Sequence, residues 1–265
     1  MIPVISQSFD NNSSFSLKKS ISDSLNIDEK EILDADLFLY NRQEGRIWGA
    51  DNEFFSSPRI DNLMCSYAAL RALIEADGLS DGKVRMVCLF DNEEVGSLTY
   101  QGADGDFFSQ ILRRLYCCYR ISEQQKYTVQ ANSFMLSADN GHAFHPNYPE
   151  KIDPTNHVFM NNGVVVKFSA NQKYTTDAYS SSVVRLIMEN RDIPYQLYFN
   201  HSNIIGGSTL GNILQSHFSV PTVDVGAAQL SMHSPYETAG VMDTTYLFKF
   251  FSAFFSDFGS VKINR

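Results

Sequence analysis

The chain has 265 residues, 43% hydrophobic and 19% charged, with a formal net charge of −9 at pH 7. That mix excludes a disordered or collagen-like chain, and the acidic balance argues against a nucleic-acid partner. A membrane span needs roughly 20 apolar residues, whereas the most apolar stretch, 246–258, is broken by Lys249 and Asp257.

The start, MIPVISQSFDNNSS, has neither the basic nor the apolar region of a signal peptide. Residues 1–20 read as a loose polar arm or a strand of something incomplete, and 25–36 as a short acidic helix or turn. Leu37–Tyr40 is a candidate strand, followed by a turn into a second one. From Ser57 the pattern sharpens: Leu63, Met64, Tyr67, Leu70, Leu73 and Ile74 recur three or four apart, which predicts an amphipathic helix. Asp61 or Asn62 is its expected cap, and Gly78 its end. The run VRMVCLF (84–90) predicts a buried, central strand. A helix is expected over 106–119, strands over 134–139 and 164–170, a helix over 181–190, strands over 194–199 and 220–226, and a last aromatic helix over 246–258. Strands alternating with helices indicate an α/β fold, a layered sheet with helices on both faces. Cys65, Cys88, Cys117 and Cys118 sit in apolar runs and form no CxxC pair. That usage fits free, buried thiols in a reducing cytoplasm.

Polar residues gather at strand ends. Strand 84–90 runs into Asp91-Asn92-Glu93-Glu94, strand 134–139 ends in Asp139 with His142 and His145 beyond it, and His233 follows strand 220–226. In open α/β sheets the ligand crevice lies beyond these ends. Asp61, at a helix opening, is a fourth candidate. Such acids either face solvent or surround a cation, and hard oxygens with imidazoles suit Zn²⁺, Mn²⁺ or Co²⁺. Glu93 and Glu94 are adjacent and point different ways. A division of labour follows, with one ligating and the other taking a proton from activated water. The segment Gly206-Gly207-Ser208-Thr209 reads either as an anion-binding helix start or as a tight loop. It lacks the lysine of a P-loop.

The runs SPRIDN (57–62), DNEEVGS (91–97), SADNGHAFHPNY (137–148), NQKYTTD (171–177), GGSTLGN (206–212) and VDVGAAQLSMHSPYE (223–237) resemble the aspartyl aminopeptidase family. The likeness is closest to its bacterial branch. The resemblance implies a cytoplasmic metal-dependent aminopeptidase with a zinc-aminopeptidase-like catalytic core. Such enzymes carry two Zn²⁺ ions per active site, act on peptides and assemble as homo-oligomers, dodecamers in the family. By the same resemblance Asp61 bridges the metals, Glu94 and His233 complete one site, Asp139 belongs to the other, and Glu93 is the general base. His142, Lys167 and Tyr174 match substrate-contacting positions. For Lys167 a structural ion pair is the competing reading, because a cation on a buried strand needs a carboxylate. His145, His157, His201 and His217 read as structural.

The family chain is longer, and its amino-terminal segment carries a further metal-binding histidine in a His-Thr-Asp type motif. Residues 1–45 are therefore expected to be the remnant of an inserted dimerisation domain. Residues 46–265 are expected to be the second part of the catalytic domain, incomplete at its N-terminus. The site holding Asp139 would then lack its imidazole and hold one ion fewer. The alternative function is a non-catalytic binding or assembly subunit on the same scaffold.

Overall fold

A computed structural model describes residues 4–7, 15–76 and 82–260. Two compact units divide after Tyr40. The first holds helix α1 (Leu17–Leu25), whose cap Ser16 accepts the Lys19 N–H at 3.1 Å, and a 3-10 turn at Glu29–Glu31. The helix thus lies before the acidic stretch, which makes only that turn. The strand expected at Leu37–Tyr40 is absent: all four side chains are exposed, and no ladder holds them. A short apolar run becomes a strand only where a sheet edge receives it.

The second unit carries the layered architecture. Its elements are β1 (Arg46–Trp48), β2 (Phe54–Ser57), α2 (Ile60–Glu75), α3 (Phe107–Cys118), α4 (Glu123–Ala131), β3 (Met135–Ala138), β4 (Gly141–His142), β5 (Val164–Phe168), α5 (Ala178–Asn190), β6 (Tyr195–Phe199), α6 (Leu210–His217), β7 (Thr222–Gly226), β8 (Ala228–Leu230), β9 (Glu237–Gly240) and α7 (Asp243–Asp257). One sheet runs β3-β7-β5-β6 and the other β1-β2-β9-β8-β4. The predicted strands at 134–139, 164–170, 194–199 and 220–226 form the first sheet. The second sheet, made of short strands, was beyond periodicity.

Alternation along β5 and β7 sets the layers. Val164, Val166, Val223 and Val225 point into the main core with residues of α2, α5 and α7. Val165 faces the other side, in a smaller cluster with Tyr174, Tyr198 and Ala228. Helix α6 lies on that other side of β7, because Gly211 abuts Ser137 and Asp224. A β-carbon on Gly211 would meet the Ser137 hydroxyl at 2.7 Å.

Helix α2 forms as expected but buries a stripe that coincides only in part with the expected one. Met64, Cys65, Ala68 and Ala72 are buried, and α2 packs on α7. Of the predicted apolar face, Met64 is buried and Leu73 half-buried, while Leu63, Tyr67, Leu70 and Ile74 are exposed. Small residues win the interface because α7 brings Phe250, Phe251 and Phe254 to it and needs close approach. Neither Asp61 nor Asn62 caps the helix through its side chain: Asn62 donates to the Ala138 carbonyl at 2.7 Å, and Asp61 Oδ2 meets His233 Nε2 at 3.1 Å. Gly78 lies outside the described residues.

The run 84–90 is the main departure. It enters no ladder among the described residues, and Val84 and Leu89 are 64% and 54% exposed. Hydrophobicity gave it strand character, but the four-stranded sheet ends at β3 and β6. Arg85 ties the run down by donating to the Phe255 carbonyl at 3.0 Å.

Asp243 opens α7 and is 1% exposed. It accepts the Asn161 N–H at 2.6 Å and the Gly163 N–H at 3.4 Å. Burial outweighs these bonds and pushes its pKa up to about 7. An ordinary unfolded aspartate titrates near pH ~3.9. The folded chain therefore holds the proton longer than the unfolded one. Stability from this group is full below pH ~4 and is lost as pH rises towards 7. Urea denaturation at pH 5 and pH 7.5 should show this fall, and Asp243→Asn should flatten it. An unchanged slope in that variant would assign the fall to other groups.

Candidate metal centre

The centre sits where two chain segments cross side by side from one sheet to the other. After β3 the chain passes through Asp139 and Asn140 into β4, and after β7 it passes through Ala227 into β8, with β3–β7 and β4–β8 both parallel. The two crossings touch: a β-carbon on Gly226 would lie 1.9 Å from the Asp139 carbonyl oxygen. Only glycine permits that contact. Asn140, 3% exposed, locks the junction. Its amide donates to the Gln229 side chain at 2.8 Å and to the Ile60 carbonyl at 3.3 Å, and its oxygen accepts the Ala227 N–H at 3.2 Å.

Around this junction stand Asp61 from the start of α2, Glu94 from the loop after 84–90, and His233 from the turn after β8. His233 Nε2 lies 3.1 Å from Asp61 Oδ2 and 3.0 Å from Glu94 Oε1. One ligand atom from each of the three lies within 4.8 Å of the others. Asp61 has a side chain 4% exposed, and its Oδ1 is buried without a hydrogen-bond partner. Burial, then the neighbouring charges of Asp139 and Glu94, push its pKa up to about 7. An orphaned buried oxygen beside two further carboxylates and an imidazole is a donor set that a divalent cation satisfies. The residues present therefore fit zinc at Asp61, Glu94 and His233.

The remaining predicted residues surround this trio. Glu93 is half-buried, and burial, then Asp139 and Glu94, hold its carboxyl above the usual range. Asp139 accepts from Lys167 Nζ at 3.0 Å. Lys167 is 1% exposed, and its ammonium stands 5.0 Å from the Tyr174 ring centroid. His142, on β4, has its pKa held low by desolvation and then by the charges of His233 and Lys167. The other histidines sit in separate contacts: His157 stacks on Phe144, His217 pairs with Asp104, and the Nδ1 atoms of His145 and His201 accept nearby backbone N–H groups.

Sequence reasoning missed Glu237. It is 2% exposed, and its two oxygens accept the Asp61 N–H at 2.8 Å and the His233 N–H at 2.7 Å. One carboxylate thus fixes the backbones of two members of the trio. The available signal was an acid four residues beyond a ligand-type histidine. Asp224, fully buried, plays a similar part between loops: it accepts the hydroxyls of Thr175 at 2.7 Å and Thr209 at 2.5 Å. That bond takes up the Thr209 hydroxyl, so the glycine-rich segment is a tight loop into α6 held against a carboxylate, which disfavours an anion there.

Glu94 is held differently. Its loop closes on itself through Asp91 N–H to Gln101 O at 3.2 Å, Ser97 N–H to Asn92 O at 2.9 Å and Gly96 N–H to Glu93 O at 2.8 Å.

Residues 3–255 match the family model described as Aminopeptidase I zinc metalloprotease (M18). The "Probable M18 family aminopeptidase 2" of Clostridium novyi (strain NT) is 42% identical over 91% of this chain and 55% of its own length. "Aspartyl aminopeptidase 1" of Schizosaccharomyces pombe is 36% identical over 93% of this chain and 53% of its own. The solved structure of the S. cerevisiae mApe1 dodecamer superposes with a TM-score of 0.78 at 31% identity, over 92% of this chain and 55% of that one. The chain spans about half the length of the curated relatives it matches.

Proposed function

Because the chain belongs to the aminopeptidase I zinc metalloprotease family (M18), we propose that it serves in the zinc-dependent removal of N-terminal residues from peptides. The observation that carries this is the convergence of Asp61, Glu94 and His233 around an orphaned buried oxygen. Zinc bound there supplies Lewis acidity towards a peptide carbonyl and acidifies water. Glu93 is the general base: its raised pKa, caused mainly by burial, brings it closer to neutral pH, where proton transfer is efficient. It takes the proton from the attacking water and passes it to the leaving amine. Glu237 keeps Asp61 and His233 in register; His142 is exposed on β4 for contact with a peptide, and buried Lys167 and Tyr174 support the site through the Lys167–Asp139 ion pair.

The finer points rest on the same reading. Zn²⁺ is the native ion, with Mn²⁺ or Co²⁺ as substitutes. Assembly with further copies is supported by the dodecamer of the relative and by the exposed stripe of Leu63, Tyr67, Leu70 and Ile74. A cytoplasmic setting is supported by four free cysteines, of which Cys65 is buried as expected while Cys117 and Cys118, at the end of α3, are exposed. No helix among the described residues is long and apolar enough to cross a membrane.

The test is zinc binding and hydrolysis of chromogenic N-terminal Asp and Leu substrates, before and after chelation. Zinc should restore hydrolysis in the stripped chain. His233→Asn is the informative variant, since its left-handed φ of 65° suits asparagine. It should lower zinc affinity at least tenfold and abolish hydrolysis together. Zinc binding without hydrolysis would favour an assembly subunit, and unchanged affinity in the variant would remove His233 from the ligand set.

A further inference from the structure

Among the described residues Glu94 has no brace of the kind that Glu237 gives Asp61 and His233, and its side chain is 61% exposed. Glu93 and Glu94 both ride on the segment 91–105, which is bonded chiefly within itself. Two polar side-chain contacts among the described residues carry that segment to the rest of the chain. One is Glu94 to His233, inside the trio. The other lies at the far end of the segment, where Asp104 Oδ1 meets His217 Nε2 at 2.8 Å.

His217 stands on firm ground. It is the last residue of α6, and that helix is pinned to the main sheet. Gly211 abuts Ser137 and Asp224, Leu214 is buried, and the Gln215 amide donates to the Val220 carbonyl at 3.0 Å. Beside it, the Phe218 ring meets buried Phe108 edge-on at 5.5 Å, where the segment has just run into α3. From Asp104 the bonding continues inward. The Asp104 N–H donates to the Ser97 carbonyl at 3.2 Å, the Ser97 N–H to the Asn92 carbonyl at 2.9 Å, and the Gly96 N–H to the Glu93 carbonyl at 2.8 Å. Ser97 and Ala103 are both buried, so the turn at Asp104 and the turn at Glu93 shift together. An exposed pair such as His217 and Asp104 adds little to global stability. What it fixes is the place of a segment that few other bonds hold.

We propose that His217 and Asp104 form a positioning pair that seats the Glu93–Glu94 segment against Asp61 and His233. The proposal deepens the reading of the trio as a zinc site and rests on it. His217 touches no ligand atom of that site; it acts through Asp104 and the bonds behind it.

The test uses Asp104→Ala, His217→Ala and the two together, in the full chain. Transfer of bound zinc to an excess of a coloured chelator gives the dissociation rate. Each single change should quicken zinc loss about two- to fivefold, the span of an exposed pair. The double change should do no more than either alone, because the two side chains make one contact. His217→Gln keeps an N–H donor at similar reach and should return most of the lost holding time, a rescue that general damage to α6 does not give. Hydrogen exchange needs no metal: in the zinc-free chain the Ser97 and Asp104 amides should lose protection in both single variants, while those of α5 keep theirs. Unchanged zinc loss in the folded single variants, checked by circular dichroism, overturns the proposal. So do effects that multiply in the double variant, or a His217→Gln chain no better than His217→Ala. If His217→Ala unfolds α6, Asp104→Ala alone decides. An unaltered chain that takes up no zinc defeats the reading of the trio instead, and the exchange measurement then decides whether the pair seats the segment.

Discussion

Glu93→Gln should leave zinc bound and lower turnover by ~10²–10⁴-fold, the range over which a positioned general base contributes. The two carboxylates of the Glu93-Glu94 pair face different tasks. Glu94 Oε1 stands 3.0 Å from the His233 imidazole, within the trio. Glu93 lies outside the trio and is coupled to Asp139, Glu94, Lys167 and His233 through charge alone. Glutamine keeps the size and one acceptor but cannot take a proton. Metal content by elemental analysis should match the unaltered chain while kcat falls. A turnover within about twofold of the original would mean that another group moves the proton. Loss of zinc in the variant would mean that Glu93 is a ligand.

Phe250→Ala should cost about 3–5 kcal/mol of stability, the usual range for emptying a buried aromatic site. Phe250 is fully buried on α7, in the cluster that joins α2, α5 and the inner valines of β5 and β7. Helix α2 packs on α7, and three of its five buried residues, Cys65, Ala68 and Ala72, have no side chain long enough to fill the void. Urea denaturation of both chains checks the figure, and a loss under about 1 kcal/mol would mean that the helices close the gap by shifting. Because α2 begins at the metal centre, a partial shift should also register as weaker zinc binding.

Much of this was legible without coordinates, for reasons that differ by element. The four strands of the main sheet carry runs such as VVVKF and TVDVG, whose burial on both faces leaves little else for them to be. Helix α7 announces itself by its phenylalanine stripe. Asp139 and His233 could be singled out because acids and imidazoles recur just past strand ends, whereas Glu93 and Glu94 were reached through the run 84–90, which forms no strand. What failed to show was partner-dependent. The exposed stripe of α2 and the unladdered run 84–90 are as apolar as the core, and hydrophobicity alone does not say which surface meets α7 or whether a neighbouring strand exists. Glu237 escaped for another reason: its role lies in two backbone N–H groups, and its place four residues beyond His233 was the one side-chain clue to it.

The unequal anchoring of the trio has a kinetic consequence. Asp61 and His233 share one rigid brace in Glu237, whereas Glu94 rides on a loop stitched mainly to itself. On the proposed reading, an ion would meet the braced Asp61–His233 pair first, and the Glu94 arm would close on it afterwards. Exchange rates of the ion are then governed by the stiffness of that arm, and altering Gly96 or Gly102 should change how long an ion stays far more than how quickly it arrives.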